Sequence, residues 1–564
     1  MGRMATGASL KREIPAASVR TTADITAEIH SAAVETQDEG SIETESPPAP
    51  PPEAGAVDEA VGADEPPERQ WTGRDGIALT LIAAIAALVR FVRLDLPKQI
   101  IFDETYYAKD ACWYVNVSES VCQIGYEQTY VHPPLGKWLI AIGIRIFGYD
   151  SFGWRVAAAV AGTVTVVIIY LLARRLFRST LGAVVASGLL AVDLLHLVQS
   201  RTSMLDIFPP MFGLAAVLFL LYDRDRFRPP PGTRGTNGLL DRPWRLAAGA
   251  CAGAAVASKW PGVFYLILII ALTIIWEIAE RRADGAPHPI ARFLREETVT
   301  IFFWLIVFPI FVYMFTYIGR LDGSFLANPT SGDSWFRMLW ERQYSMLDFH
   351  MNLESSHGYQ SNPQTWMLLK RPVSYHIEYG PNGEYGEVMA TGSPFVWWAS
   401  ILSFVYVLFR WIGARIRRVK QGAGAWRPEG LIVAGYFFTY GPWLLPSDRP
   451  ATFLFYLLPT VPFMCMAVAY VATQIGRTWE AKAAIALFAA GAIGFFGFYY
   501  PVVADVQISR DSWDRRIWVF NDCDKPAGTP TKSTVTNTIG KRTKTAVTET
   551  TSNAELPPKG WCWI

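Results

Sequence analysis

The sequence predicts an all-α integral membrane protein of about eleven spanning helices, N-terminus inside and C-terminus outside. Three observations predict it. Of the 564 residues 51% are hydrophobic and only 18% charged, whereas a soluble domain is about a quarter charged. The apolar residues gather into runs such as 301–318, close to the roughly 20 residues that cross a hydrocarbon layer. Loops rich and poor in Arg alternate along the whole chain, which is the positive-inside pattern.

Taken in order, residues 1–70 are rich in Ala, Pro, Glu and Thr, with a Pro-rich run at 47–52, and read as a disordered cytoplasmic tail. The first apolar run starts near Gly76, too late for a cleaved signal peptide, so it reads as a signal anchor. A multi-spanning domain follows over 71–501. Its spans are placed near 76–93, 153–172, 181–198, 204–222, 246–258, 261–279, 299–318, 394–411, 429–445, 453–472 and 482–500. Leu135–Phe147 is apolar but short and carries Lys137 and Arg145, so it is expected to lie along the membrane surface.

With the N-terminus inside, the inner loops hold Arg174, Arg175 and Arg178, then Arg224 to Arg242, Arg281 to Arg295, and Arg410 to Lys420. The outer turns hold single cations, Arg201, Lys259 and Arg449. Two outer regions are large, about 94–152 and 319–393, and 502–564 forms a polar extracytoplasmic appendage. A net charge of +1 exerts no general pull on nucleic acid. Of the six cysteines, Cys112 and Cys122 share one loop and Cys523 and Cys562 share the tail. In an oxidising compartment each pair can close a disulfide; four free thiols are the alternative.

The residues with chemical potential lie on the outer side. Asp103-Glu104 follows the first span by about ten residues. Partial dehydration at the membrane raises a carboxylate's pKa and suits a general base; a solvated acidic loop is the bland alternative. His132-Pro133-Pro134-Leu135-Gly136-Lys137 stiffens the chain ahead of the surface helix, and His132 is a candidate to orient a substrate or carboxylate. Arg201, Lys259 and Arg449 sit at span ends, where an ionisable group needs a partner. A lipid phosphate fits that need; for Arg201 an internal ion pair with Asp206 is the alternative. His357 and Tyr359, with Trp366 nearby, form an aromatic and polar stretch suited to sugar. His350, His357 and His376 are candidate ligands for a divalent ion, but no helical i, i+4 pair occurs among them and no metal site is indicated. Outer carboxylates, outer cations and a surface helix together point to an enzyme using a lipid-phosphate donor.

These residues resemble the protein O-mannosyltransferase family. The specific match is Phe102-Asp103-Glu104 with His132 through Lys137. Arg155, Arg201 through Asp206, Ser258-Lys259-Trp260, Ser356-His357 with Tyr359, and the stretch Phe453–Pro462 follow in family order over about 70–500. The resemblance implies an eleven-span, GT-C-type fold, a polyprenyl-phosphate-mannose donor, and Ser or Thr acceptors on exported proteins, with the secretion translocon as a further partner. Asp103 would be the base and Glu104 would position or polarise the acceptor. Arg155, Arg201, Lys259 and Arg449 would face the donor phosphate, with His132, Lys137, Asp206, His357 and Tyr359 lining the substrate site. The 319–393 loop has no room for the three β-trefoil-type repeats of eukaryotic members. The resemblance is therefore to a bacterial, actinomycete-type member in the plasma membrane, with its site facing the periplasm.

Two other readings share parts of this pattern. A relative that moves another sugar, such as aminoarabinose or arabinose, onto lipid or glycan would share the architecture, but the His132–Lys137 motif beside Asp103 argues against it. A transporter would also carry charges in its spans. It would usually show two related halves, and none are seen.

Overall fold

In the computed structural model the described residues are 71–226, 238–326, 334–354, 359–380, 382–421, 428–445 and 449–517, with two strands within 532–549. The N-terminal tail, His357, Cys523 and Cys562 lie outside them.

The chain is helical wherever it is apolar. Helices α1 (Gly73–Phe91), α2 (Glu104–Tyr114), α3 (Glu119–Cys122) and α4 (Leu135–Phe147) are followed by the long α5 (Ser151–Phe177). Next come α6 (Thr180–Ala191), α7 (Leu194–Gln199), α8 (Phe208–Arg226), α9 (Pro243–Ser258) and α10 (Val263–Ala283). A π-helical segment, Phe303–Val307, joins α11 (Pro289–Phe302) to α12 (Phe308–Phe315), making one continuous rod. After α13 (Trp335–Met351) and α14 (Pro363–Trp366) come strands β1 (Val373–Tyr379) and β2 (Glu384–Ala390). The series continues with α15 (Pro394–Gln421), α16 (Pro428–Thr439), α17 (Gly441–Leu444), α18 (Val461–Ile475) and α19 (Trp479–Val503). It ends in β3 (Ile508–Ser509), α20 (Arg510–Ile517) and the hairpin β4 (Lys532–Ile539) and β5 (Arg542–Glu549).

Each expected span falls on helix. Among the described residues seven helical stretches are long and apolar enough to cross a membrane. The spans expected at 76–93, 181–198, 246–258 and 429–445 fall on helices that are shorter or more charged. The second of these is interrupted, because Asp193 caps α7 by accepting from His196 N at 3.0 Å and also accepts from Trp397 Nε1 at 3.0 Å. A carboxylate that caps a helix start competes with continuation of the helix before it. Helices α5 and α18 are largely enclosed, while α19 and the Pro289–Phe315 rod present mostly exposed apolar side chains such as Phe311 and Leu487. Long apolar rods exposed in this way face lipid.

The loop cations Arg242 and Arg281, expected on the inner side, are not simply solvated, and Arg245 at the start of α9 joins them. Arg242, Arg245 and Arg281 are buried against Asp223, Glu277, Glu296 and Glu297, with Arg245 Nη1 2.6 Å from Glu297 Oε2. Such a cluster persists only because every charge has a partner.

The two large loops build the opposite elements. Cys112 and Cys122 are joined by a disulfide, with Cα atoms 5.6 Å apart; Cys251 and Cys465 are free. Strands β1, β2 and β3 form an antiparallel sheet. Its β1–β2 register slips between Ser374 and His376, so Tyr375 is the extra residue of a β-bulge. Bulges bend a strand and re-aim a side chain, and Tyr375 stacks on Phe102 with ring centroids 4.3 Å apart.

Candidate active site

Chain segments far apart in sequence are brought together around Asp103. The first is the turn into α2. Phe102 takes a left-handed φ of 46°, a strained conformation for an aromatic residue. Asp103 stands at the N-cap position of the helix that follows, without a side-chain capping bond. Its side chain remains partly accessible although protein surrounds it on most sides, and the Tyr107 hydroxyl one turn on donates to it. Burial pushes its carboxyl up to about 6; Asp206 acts in the same direction and Lys259 opposes it.

The second and third segments supply that charged pair. Asp206 lies in the single turn Leu205–Ile207 before α8, and Lys259 is the residue at which α9 stops. Pro261 ends the helix, and Gly262 lets the chain fold back, since a Cβ there would lie 2.2 Å from the Ala255 carbonyl carbon. Lys259 Nζ is 2.8 Å from Asp206 Oδ2 and 5.5 Å from the Tyr456 ring centroid. The expected alternative pairing of Asp206 with Arg201 is not the one formed.

The fourth segment is α13 with the chain after α17. His350 on α13 lies against three rings, those of His132, Trp260 and Phe349. Arg449 donates from Nη2 to His350 Nδ1 and from Nη1 to His350 O, both at 3.2 Å. His350 Nε2 faces Val131 O at 3.2 Å, so this network assigns the proton to Nε2. Burial and the Arg449 charge bring its pKa down to about 4. His132 is held neutral for the same reasons, burial first and then Lys259 and His350. The result is a site with one carboxylate poised to titrate, two neutral imidazoles and two fixed cations.

The His132–Lys137 motif shapes this site more than it lines it. Gly136 lets α4 approach the neighbouring segments closely, because a Cβ there would meet Leu205 Cδ2 at 2.8 Å and Ser258 O at 3.3 Å. Lys137 is fully buried. It lies 2.7 Å from Glu127 Oε1 and 3.1 Å from Asp110 Oδ2 and donates to Thr129 O. Arg342 of α13 closes the same network on Glu127.

Three expected site residues are engaged elsewhere. Glu104 is fully buried and forms a two-pronged pair with Arg155, at 2.7 and 2.8 Å. It also accepts from the backbone of Ile101 and Ser203 and from Trp154 Nε1. The remaining Arg155 N–H groups reach the carbonyls of Leu94, Pro97 and Gln99. Arg201 donates to the carbonyls of Val89, Arg90, Val92 and Arg93 at and just after the end of α1, where carbonyls lack intrahelical partners. These contacts hold the Asp103 loop in place, in contrast to the expectation that Glu104 meets an acceptor and the two arginines a phosphate. Tyr359 is buried, with its hydroxyl on Ser374 and close to Glu387.

Sequence reasoning missed His350, Tyr107 and Tyr375 as members of the site. His350 and Tyr375 come from segments whose local pattern carries no signal for a shared position, whereas Tyr107 lies one helical turn after Asp103 on α2, a spacing that puts the two side chains together. Of the histidines considered for a metal, His357 lies outside the described residues and the other two are placed apart: His350 is beside His132, and His376 is beside Gln99 and Glu378.

Residues 80–154 and 150–320 match the family model for dolichyl-phosphate-mannose-protein mannosyltransferase, and 335–521 match that for the C-terminal four TMM region of protein-O-mannosyltransferase. A polyprenol-phosphate-mannose–protein mannosyltransferase of Mycolicibacterium smegmatis is 31% identical over 492 residues, covering 79% of this chain and 92% of the relative. The protein of the same name from Corynebacterium glutamicum is 27% identical over 459 residues, 73% of this chain and 85% of the relative. Among solved structures, the Saccharomyces cerevisiae protein O-mannosyltransferase Pmt1-Pmt2 complex bound to the sugar donor aligns with a TM-score of 0.62. Its identity is 15%, over 80% of this chain and 93% of that chain, a likeness of fold.

Proposed function

The chain belongs to the protein O-mannosyltransferase family, and from that premise we propose that it moves mannose from a polyprenyl-phosphate carrier to Ser or Thr hydroxyls of exported proteins, on the extracytoplasmic face of the plasma membrane. It is a glycosyltransferase of the membrane-embedded GT-C type. The observation that carries the residue assignment is the Asp103 carboxyl, partly accessible, pushed up to about 6 and within electrostatic reach of Lys259.

In the proposed step the acceptor hydroxyl oxygen attacks the anomeric carbon as its proton passes to Asp103. The bond from that carbon to the phosphate oxygen breaks, and the lipid phosphate leaves with the electron pair. A hydroxyl is a poor nucleophile until a base takes its proton. The phosphate gains charge as it departs, and fixed cations placed beforehand stabilise that charge most. Lys259 and Arg449 are the cations assigned to it, and His132 and His350, both neutral, add hydrogen-bonding groups. One displacement inverts the anomeric centre, as in inverting glycosidases. The positive-inside pattern supports a site on the outer side.

The test uses membranes supplied with labelled polyprenyl-phosphate-mannose and a Ser/Thr-rich peptide. Wild type is expected to label the peptide, and Asp103→Asn to lose about a hundredfold or more of the rate while still inserting into the membrane. Undiminished transfer by Asp103→Asn would remove Asp103 from the role of base. Absence of transfer to peptide by wild type, with transfer to lipid or glycan instead, would remove the protein acceptor.

A further inference from the structure

We propose that His376, Glu378 and Asp505 form a binding site for one divalent transition-metal ion of the Zn²⁺ or Mn²⁺ class. The site shares no residue with the Asp103 site and does not depend on its assignment. Each of the three residues offers one ligand atom, and these atoms lie within 4.8 Å of one another. His376 and Glu378 are two apart on β1, so both project from one face of the strand. His376 Nε2 is 3.7 Å from Glu378 Oε2. Ligand atoms around a tetrahedral ion with bonds of 2.0–2.1 Å stand about 3.3 Å apart, so a small rotation of the exposed Glu378 side chain closes the set.

Asp505 supplies the independent observation. It follows α19, is only 6% exposed, and its Oδ1 is buried without a hydrogen-bond donor. A buried carboxylate oxygen left without a partner is unfavourable, and a cation resolves it. Asp505 is held there by its backbone: its N–H donates to Glu387 O at 3.0 Å, and its carbonyl accepts from Arg93 Nη2 at 3.0 Å. One imidazole and two carboxylates suit Zn²⁺ or Mn²⁺, and the two anionic charges balance a divalent ion. The Gln99 side-chain amide lies 3.2 Å from His376 Nε2. Turning the amide end for end presents its oxygen as a fourth donor.

The location gives the ion a structural task. It would tie the loop after α1 to β1 and to the end of α19. His376 is next to Tyr375, the bulge residue stacked on Phe102, so the ion would secure the sheet that backs the Asp103 turn.

The test uses full-length, untagged protein in detergent, stripped with chelator and titrated separately with ZnCl₂ and MnCl₂ by equilibrium dialysis. Wild type is expected to hold one equivalent of one of these ions that His376→Ala and Asp505→Asn lack, with a metal-dependent rise in melting temperature seen in wild type only. Glu378→Gln, altered at an exposed position and expected to fold like wild type, should bind at least about tenfold more weakly. Equal stoichiometry and affinity in wild type and Glu378→Gln would overturn the site, as would no binding by wild type at about 100-fold molar excess of either ion.

Discussion

Lys259 places its ammonium 2.9 and 2.8 Å from the two carboxylate oxygens of Asp206, 53 residues earlier in the chain. The pair acts on Asp103 from both sides, since Lys259 lowers its pKa and Asp206 raises it. As a base Asp103 must be ionised, so the rate should fall as pH drops through about 6. Lys259→Met should move that acid limb to higher pH and Asp206→Asn to lower pH, each by on the order of one unit. The Lys259 variant should also be slower at its optimum, because it lacks a cation for the leaving phosphate. Initial rates of peptide mannosylation from about pH 4.5 to 8 read both effects. Limbs that move in the same direction in the two variants would remove Asp103 as the titrating group.

The adjacent carboxylates should separate cleanly into one for chemistry and one for structure. Glu104→Gln leaves Arg155 buried without its counter-charge, a change that typically costs about 3–5 kcal/mol. Arg155→Met should cost a similar amount, and the double variant less than the sum, because the two residues share one interaction. Asp103→Asn removes a carboxyl whose pKa is raised, so its charged form is disfavoured by folding, and the variant should be as stable as wild type or more so at pH 7. Thermal unfolding in detergent checks the contrast; a loss in Asp103→Asn equal to that in Glu104→Gln would reverse the division.

The β1–β2–β3 sheet carries a second displaced carboxyl with the opposite consequence to an ion-paired one. Burial pushes Glu387 up to about 8, and only Trp513 Nε1 at 2.7 Å and Ser374 Oγ at 2.9 Å offset it. Unfolded, the group titrates near 4.5. Between those values the folded state holds a proton that the unfolded state has lost, so stability falls as pH rises, by about 1.4 kcal/mol per unit at most. Below about 4.5 and above about 8 this contribution is flat. Glu387→Gln keeps a neutral side chain and should flatten the decline between pH 5 and 8. Melting temperatures of both proteins across that range decide it; parallel curves would mean that Glu387 titrates normally.

Seven of the spans were legible because about 20 apolar residues in a row have one physical use; at 76–93, 181–198, 246–258 and 429–445 the described helices are shorter, more charged or interrupted. Asp103 stood out as a candidate from its position after the first span and from the company of the His132–Lys137 motif. Its working partners did not. Nothing near Lys259 in sequence announces Asp206, and the neighbouring Arg201 was the more obvious partner for that acid. Arg155 and Arg201 looked like phosphate ligands because charge at a span end needs a partner. The partners proved internal, a carboxylate in one case and the carbonyls that end α1 in the other. The principle held for both, and the partner's identity required three-dimensional contacts. The cations expected in the inner loops show the same limit, since Arg242 is buried against Asp223 and Arg281 against Glu296, pairings that were not expected.

Tyr375 is where the sheet and the Asp103 turn meet, and its role is one of position. Its ring stacks on Phe102 at 4.3 Å and its hydroxyl accepts from Gln199 Nε2 at 2.7 Å. Phe102 has a left-handed φ of 46°, so the turn that aims Asp103 relies on its surroundings to persist. An aromatic stack contributes about 0.5–1.5 kcal/mol beyond burial. Tyr375→Phe keeps the stack and should retain most activity. Tyr375→Ala releases Phe102 and should lower kcat by roughly tenfold or more, since small displacements of a reacting group are costly. KM for the lipid donor should change little, because the cations assigned to it lie on other segments. Steady-state kinetics with varied donor separate the two: a rise in KM at constant kcat would make Tyr375 part of the donor site, and equal losses in Tyr375→Phe and Tyr375→Ala would place its effect in the hydroxyl instead of the stack.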